Sequence, residues 1–296
     1  MLSEVLEIRC KAALNRVHGM HFEWSLNPYT GCAHRCTFCY VRGFERRADR
    51  PSDHRYGQVV RAKTNIAEAL RAELSRPSWK RDAVVVGPAT DPYQPAEGRY
   101  RLTRACLEAL AARRNPFSVL TRGTMIVRDL DVLVEAAGRA EVDVTFSLPT
   151  LDPEIWRRTE PGTPPPRQRL RALSRLVAAG VNAGVGLAPL LPGLSDRPEQ
   201  IAAVVRAARH AGATHLWGSL LNLRPGTREH FLACLARDWP EQLPRYERLF
   251  AGRSFLPASA ARALGDQLAR VRRRYPLREE TRIEPPREAE QLALRV

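Results

Sequence analysis

Short apolar runs rich in β-branched residues alternate along this chain with longer segments whose apolar residues recur at helical spacing. The short runs predict six strands, at residues 24–28, 83–87, 117–121, 142–147, 182–187 and 215–221. The longer segments predict helices near residues 65–75, 103–114, 128–137, 167–179, 197–211 and 227–236. Regular alternation of strand and helix is typical of parallel βαβ units. The pattern therefore predicts an α/β fold built on a parallel sheet.

The pattern weakens beyond about residue 237. Residues 256–275 predict a basic amphipathic helix, and residues 279–296 a polar tail. We interpret the chain as one folded core with an appendage at each end. The three parts are a basic N-terminal segment (1–20), a core barrel (21–236) and a helical basic C-terminal extension (237–296).

Composition narrows the class of protein. A chain of 296 residues with 44% hydrophobic and 27% charged residues is typical of a soluble globular protein, and it is long enough for one barrel-sized domain or two smaller ones. A run of about 18 apolar residues, which a membrane span needs, is absent from the sequence. Three of the six cysteines are clustered, which does not indicate a disulfide framework. We therefore expect a cytoplasmic protein with no membrane partner.

The formal net charge is +15, and all but three of the 47 basic residues are arginines. A charge of this sign favours a polyanionic partner such as DNA, because cationic side chains neutralise phosphates and release counterions. An arginine-rich composition also follows from a biased genome. Both interpretations stay open.

Cys32, Cys36 and Cys39 have the spacing Cys-x3-Cys-x2-Cys. Soft thiolates select zinc or iron–sulfur clusters. Three of them can hold three irons of a [4Fe–4S] cube and leave the fourth iron open for chemistry, just as catalytic zinc sites keep one position open. The alternatives are a buried cysteine cluster or a zinc site completed by His34 or His54.

The residues around these cysteines carry a family resemblance. The run from Asn27 to Tyr40 reads Asn-Pro-Tyr-x-Gly-Cys-x-His-x-Cys-x-Phe-Cys-Tyr, and residues 90–95 read Thr-Asp-Pro-Tyr-Gln-Pro. Both resemble the radical S-adenosylmethionine (SAM) superfamily, in its spore photoproduct lyase or DNA-repair photolyase-like branch. The resemblance covers roughly residues 20–225. It implies a partial (β/α)6 barrel of parallel strands, with a short helical C-terminal extension.

The resemblance also implies cofactors and roles. Cys32, Cys36 and Cys39 would bind a [4Fe–4S] cluster whose open iron chelates SAM. An external one-electron reductant such as flavodoxin or ferredoxin would drive cleavage of SAM to a 5′-deoxyadenosyl radical, which abstracts a substrate hydrogen. The residues implied to contact SAM are Tyr40 (adenine), Thr90 and Asp91 (the ammonium end), Arg122 (the carboxylate) and Ser147 (ribose or methionine).

Other polar residues have weaker or purely structural interpretations. Glu160 is interpreted as a carboxylate that binds ribose or substrate. Arg128 and Asp129 are interpreted as a structural pair at a helix start. The resembled lyase carries a hydrogen-donating cysteine near the end of its second strand, but residues 86–91 here contain no thiol. Cys106, on the next helix, is interpreted as a buried thiol.

The function predicted from the sequence is a monomeric radical SAM enzyme, lyase-like, acting on damaged nucleic acid. Two alternatives remain. One is a radical SAM enzyme that modifies a small molecule or a peptide. The other is a non-enzymatic, zinc-dependent nucleic-acid-binding protein.

Overall fold

The computed structural model describes residues 3–277. The strands are β1 (Glu4–Ile8), β2 (Leu14–Arg16), β3 (Trp24–Leu26), β4 (Tyr29–Thr30), β5 (Val59–Lys63), β6 (Val84–Val86), β7 (Phe117–Thr121), β8 (Val142–Ser147), β9 (Asn182–Leu190) and β10 (Leu216–Leu220). The helices are α1 (Arg42–Arg47), α2 (Ile66–Leu74), α3 (Glu97–Tyr100), α4 (Leu102–Ala112), α5 (Leu130–Ala137), α6 (Pro153–Thr159), α7 (Pro166–Ala178), α8 (Pro198–His210), α9 (Thr227–Asp238), α10 (Leu243–Leu249) and α11 (Ala258–Arg274). Short 3₁₀ helices span Thr124–Asp129 and Pro240–Gln242.

The main sheet has the strand order β10-β9-β8-β7-β6-β3-β2. Six strands, from β3 to β10 in that row, are parallel, and β2 is antiparallel to β3 at one edge. These six parallel strands are the six that the sequence predicts, with shifts of a few residues at their ends. Within residues 3–277 no ladder joins β10 to β2, so the barrel is open. The prediction of a partial α/β barrel is confirmed.

The face of this sheet that the helices cover is buried, and it supplies the apolar residues of the strand runs. Val84, Val86 and Val144 are completely buried. One face of each long helix covers the sheet, as Leu107 and Leu110 of α4 do at helical spacing. Because the strands are parallel, their carboxyl ends meet at one end of the barrel. That end holds the loops in which the sequence predicts the site.

A second, three-stranded sheet with the order β1-β5-β4 was not predicted. In it β1 runs parallel to β5, and β4 runs antiparallel to β5. The segment 1–20 therefore contributes a strand to each sheet. Gly31 follows β4 with φ +81°, and a Cβ there would lie 2.6 Å from the carbonyl oxygen of Val59. Only glycine fits this turn into the cysteine loop.

The helix predicted at residues 256–275 is confirmed as α11, which buries Leu264, Leu268 and Val271. The predicted polar tail at 279–296 lies outside the described residues. Among the described helices, none combines the length and apolar character needed to cross a bilayer.

Candidate active site

A cavity of about 670 Å³ opens at the carboxyl ends of the parallel strands. Its walls come from the cysteine loop and from the ends of β6, β7, β8, β9 and β10. All eight predicted site residues line it: Cys32, Cys36, Cys39, Tyr40, Thr90, Asp91, Arg122 and Ser147. Residues from separate stretches of the chain are thus brought to one place.

The cysteine loop is held from behind by a buried arginine. Arg42 is 1% exposed, and its Nε and Nη2 donate to the carbonyl oxygen of Cys36 at 3.4 and 3.3 Å. Its Nη1 donates to the carbonyls of Ser52 and Asp53 at 2.8 and 2.6 Å. The guanidinium carbon lies 4.5 Å from the ring centroid of Tyr56. One side chain thus ties the cysteine loop to the segment at 52–56.

The three thiols suit an iron–sulfur cluster. None forms a disulfide; Cys32 and Cys36 are buried, and Cys39 is half-buried with its Sγ 3.6 Å from the hydroxyl of Tyr56. Burial raises the pKa of the Cys32 thiol well above its ordinary value, and it raises the pKa of Cys36 to about 12. These two thiols are therefore protonated without metal, and iron binding would have to displace their protons. Three free thiols at one cavity wall match the donor set of a cluster with one open iron.

The geometry does not favour the zinc alternative, which needs its ligands grouped around one point. The Nδ1 atom of His34 lies 3.2 Å from the Oδ2 atom of Asp91, and the side chain of His54 is 78% exposed. Across residues 3–277, no three side chains of histidine, cysteine, aspartate or glutamate are arranged to hold a single metal ion.

Asp91 joins three loops of the cavity wall. Its Oδ1 accepts from the backbone N–H of Tyr93 at 2.9 Å and from Oγ1 of Thr121 at 2.7 Å. Its Oδ2 accepts from the backbone N–H of Arg122 at 2.6 Å and lies beside His34. Burial alone would raise the pKa of Asp91, but His34 and these hydrogen bonds lower it to about 2. The carboxylate is charged and its lone pairs are used, so it positions the loops around it.

Two buried amides hold the loops together, a role that the sequence analysis did not assign to either. Oδ1 of Asn27 accepts from the backbone N–H groups of residues 89–90 at 2.9 and 3.3 Å. Oε1 of Gln94 accepts from the N–H of Ala33 at 2.9 Å, and its Nε2 donates to the carbonyl of Gly31 at 3.1 Å. Both amides belong to the quoted motifs, so the signal was present. The motifs specify how the cysteine loop is fixed to the end of β6.

A buried ion-pair network forms another wall. Oε1 of Glu160 accepts from Nε of Arg122 at 2.6 Å and from Nη1 of Arg169 at 3.1 Å. Arg169 also donates to the carbonyl of Ser147 at 2.8 Å. Nη2 of Arg122 and Oγ of Ser147 both donate to the carbonyl of Ala188, at 3.0 and 2.8 Å. Arg122 and Ser147 are thus part of one network.

Arg122 keeps one nitrogen, Nη1, without a protein partner in the described chain. Burial alone would lower the pKa of Arg122, but the neighbouring Cys36 and Glu160 raise it above its ordinary value. The guanidinium is therefore charged at the cavity wall. Its side chain is 20% exposed, whereas Glu160 is completely buried. Arg122 can meet an anionic ligand group, and Glu160 acts through Arg122.

The remaining predicted residues differ in how they are placed. The hydroxyl of Tyr40 donates to the carbonyl of Pro88, and its ring lines the cavity. Oγ1 of Thr90 donates to the carbonyl of Tyr29 at 2.9 Å, which makes Thr90 a positioning residue. Cys106 is completely buried on α4 and is not part of the cavity wall.

Known proteins resemble this chain in sequence and fold. A family model described as the radical SAM superfamily matches residues 26–212. An uncharacterized protein of Mycobacterium tuberculosis is 40% identical over 283 residues, covering 95% of this chain and 83% of the relative. An uncharacterized protein of Acidianus two-tailed virus is 29% identical over 224 residues, covering 72% of this chain and 71% of the relative.

The fold is shared with spore photoproduct lyase. A solved structure of a mutant of that enzyme, with bound AdoMet and dinucleoside spore photoproduct, superposes with a TM-score of 0.69 at 14% sequence identity. The match covers 92% of this chain and 79% of the lyase. The chain therefore belongs to the radical SAM superfamily, and its cofactors are those of the superfamily, a [4Fe–4S] cluster and SAM.

Proposed function

We propose that Cys32, Cys36 and Cys39 hold the [4Fe–4S] cluster and that SAM lies beside them in the 670 Å³ cavity. The observation that supports this most is that three free thiols on one loop share a cavity wall with Arg122 and Ser147. When bound, the cluster and SAM supply a 5′-deoxyadenosyl radical, with an electron from an external reductant such as flavodoxin or ferredoxin. The protein supplies binding, orientation and a secluded cavity.

Different residues of the cavity wall are proposed to bind different parts of SAM. Nη1 of Arg122 is the donor available to the SAM carboxylate, and the Tyr40 ring offers an apolar face for adenine. Ser147, which lines the same cavity, would contact the ribose or the methionine. Asp91 is saturated by protein donors, so it holds Arg122 and the cysteine loop in place. Backbone carbonyls of the 87–91 loop would accept from the ammonium group.

For the substrate we propose damaged nucleic acid, processed by a DNA-repair photolyase-like lyase reaction. Three observations support this proposal. The chain carries a net charge of +15. Asp91 is the only carboxylate among the described residues lining the cavity, and it is already paired, so an anionic substrate meets no free negative charge. Spore photoproduct lyase, which has the same fold, has been solved with a dinucleoside lesion. We place the enzyme in the cytoplasm as a monomer.

Iron content and SAM cleavage test the first part of the proposal. After anaerobic reconstitution we expect about four irons and four sulfides per chain, and 5′-deoxyadenosine on reduction with dithionite. Simultaneous change of Cys32, Cys36 and Cys39 to alanine should remove both. The matched control is Cys10→Ala with Cys234→Ala, two cysteines outside the cavity, which should keep the iron. Stoichiometric zinc without iron in anoxically purified protein would refute the proposal.

Salt dependence of DNA binding tests the substrate class. Binding should weaken linearly in a log–log salt titration. Arg270, Arg272, Arg273 and Arg274, near the end of α11, are the first candidates for binding phosphates. Changing all four to glutamine should reduce the slope by about 0.9 for each phosphate that the protein no longer neutralises. A protein that ignores DNA at low salt yet cleaves SAM would support the small-molecule or peptide alternative instead.

A further inference from the structure

The open barrel has two edges, and both contribute to the cavity. On one edge, Trp217 and Ser219 of β10 line it. On the other edge it is lined by residues 19–22, which lie in the β2–β3 connection. Within the described chain these two edges do not pair. The cavity therefore extends to both edges of the open barrel.

Trp217 occupies one side of this opening. It is in register with Gly186 of β9, which is in turn in register with Ser147 of β8. A Cβ on Gly186 would lie 2.8 Å from Cζ2 of the indole, so the glycine makes room for the ring. The indole thus lies against the β9 backbone, in the same row of side chains as Ser147. It nevertheless remains 37% exposed, unusual for a tryptophan inside a barrel.

The second edge carries a further exposed apolar group. Met20 is 58% exposed and lines the same cavity, next to His21 and the half-buried Phe22. Large apolar groups exposed within one cavity are informative, because contiguous exposed apolar surface marks interaction and ligand-binding sites. Residues with hydrogen-bonding side chains, Ser219 and Asn222, follow Trp217 along the wall. The opening combines an aromatic surface, a flexible thioether and polar groups.

We propose that the exposed indole of Trp217 is a stacking platform for one nucleobase of the substrate, which enters through the open edge of the barrel. The inference rests on the proposed radical SAM function and identifies a contact that selects a planar base. A nucleobase matches this surface because every base presents a π-face, and its edge can hydrogen-bond to Ser219 and Asn222. Its phosphate meets a wall whose one carboxylate among the described lining residues, Asp91, is already paired. Residues 20–22 cover the base from the second edge.

The test compares an oligothymidylate with an abasic oligomer of the same length, using full-length reconstituted enzyme with SAM. Binding is measured by fluorescence anisotropy of the labelled oligomers. The wild type should bind the oligothymidylate more tightly. Trp217→Ala should weaken that binding about 5- to 100-fold and leave the abasic oligomer unchanged. Trp217→Phe should restore most of the affinity, because it restores an aromatic face.

Trp239→Ala is the matched control, since that half-buried tryptophan packs near Arg158 away from the cavity. It should bind both oligomers like the wild type. The inference is overturned if Trp217→Ala and Trp217→Phe keep the wild-type ratio of the two affinities, or if Trp217→Ala weakens SAM binding alone. Iron content and 5′-deoxyadenosine are measured on the same wild-type samples. Their absence would overturn the proposed function, whereas their presence with unchanged ratios would overturn only the role of Trp217.

Discussion

Glu160 and Glu97 are both completely buried, and both pair with arginines, but they lie in different surroundings. Glu160 binds Arg122, which lines the cavity. Glu97 accepts from the hydroxyl of Tyr29 at 2.5 Å and from Nη2 of Arg128 at 3.0 Å. Neither Tyr29 nor Arg128 lines the cavity. Two similar ion-pair networks therefore serve different purposes.

The Glu97 network forms its bonds among residues that do not line the cavity. Its carboxylate also accepts from the backbone N–H of Thr103 at 3.0 Å, at the start of α4. Nε of Arg128 donates to Asp129 at 2.9 Å, which is the structural pair that the sequence predicts. Asp129 also accepts from the hydroxyl of Tyr93 at 3.0 Å. The network joins β4, α4 and the 3₁₀ segment before α5, so it supports the scaffold. The Glu160 network, by contrast, leaves Nη1 of Arg122 available to a ligand.

The largest effect is expected in the scaffold network. Glu97→Ala leaves the Tyr29 hydroxyl and the Thr103 amide without their buried acceptor, and it removes the carboxylate oxygen that accepts from Nη2 of Arg128. Removing one member of a buried ion pair typically costs about 3–5 kcal/mol, a large share of the ~5–15 kcal/mol that stabilises a domain. We expect a large drop in the urea midpoint, measured anaerobically by circular dichroism. Glu97→Gln, which keeps one oxygen acceptor, should lose less.

Glu135→Ala is the matched control for this measurement. Glu135 forms an exposed pair with Arg139 at 2.9 Å, and such pairs contribute about 0–1 kcal/mol. Equal small shifts for Glu97→Ala and Glu135→Ala would contradict the assignment of Glu97 to the scaffold.

The next largest effect is expected in the cavity network. Arg122→Ala should weaken SAM binding about 10- to 100-fold, the range for removing one hydrogen bond to a charged group. Iron content should not change, because no thiol is touched. SAM affinity is measured by equilibrium dialysis on reconstituted protein. Arg122→Lys should be intermediate, since it keeps the charge but loses the planar fork.

Arg128→Ala provides the contrast with the same residue type. It should lower stability and leave the SAM affinity of the folded protein unchanged. Equal losses of SAM affinity in Arg122→Ala and Arg128→Ala would remove the distinction between the two networks. An unchanged affinity in Arg122→Ala would show that another residue holds the carboxylate.

The sequence predicts the parts of the fold that have local signals. The six parallel strands and the cysteine loop follow from apolar runs and motif spacing. The pairing of β1 with β5 has no such signal, because its partners are about 55 residues apart and β1 is largely exposed. Helix α6 was missed although Asp152 accepts from the N–H groups of Glu154 and Ile155 and is followed by Pro153, a readable helix start.

The residues of the cavity wall also divide into those that have a local sequence signal and those that do not. Arg122 was predicted as a partner for SAM, but its bond to Glu160 depends on the packing of α6 and α7 against the sheet. Arg169 and Arg42 are buried arginines, and arginine spacing alone does not reveal burial in a chain with this much arginine. Trp217 was predicted only as a strand residue. Its role depends on Gly186 of the neighbouring strand, a contact that only the register reveals.

The smallest effect is expected at Cys106, which lies on the scaffold side of the comparison. It is completely buried on α4, and burial together with the nearby Glu97 raises the pKa of its thiol. It does not line the cavity, and the loop at 86–91 contains no thiol. The family resemblance implies a cysteine near this loop that returns a hydrogen atom to the product radical. A buried thiol outside the cavity cannot reach a substrate radical within it.

We therefore expect no efficient repair of the spore photoproduct, even though SAM is cleaved. The assay is anaerobic turnover of dinucleotide spore photoproduct with dithionite, with 5′-deoxyadenosine and thymidylyl-thymidine both quantified. Cys106→Ala should form 5′-deoxyadenosine at the wild-type rate, because Cys106 lies outside the cavity wall that holds the cysteine loop and Arg122. Its stability should fall only modestly, since the change removes one small buried sulfur. Multiple-turnover repair by the wild type that Cys106→Ala abolishes would make Cys106 the hydrogen donor and would place it on the cavity side.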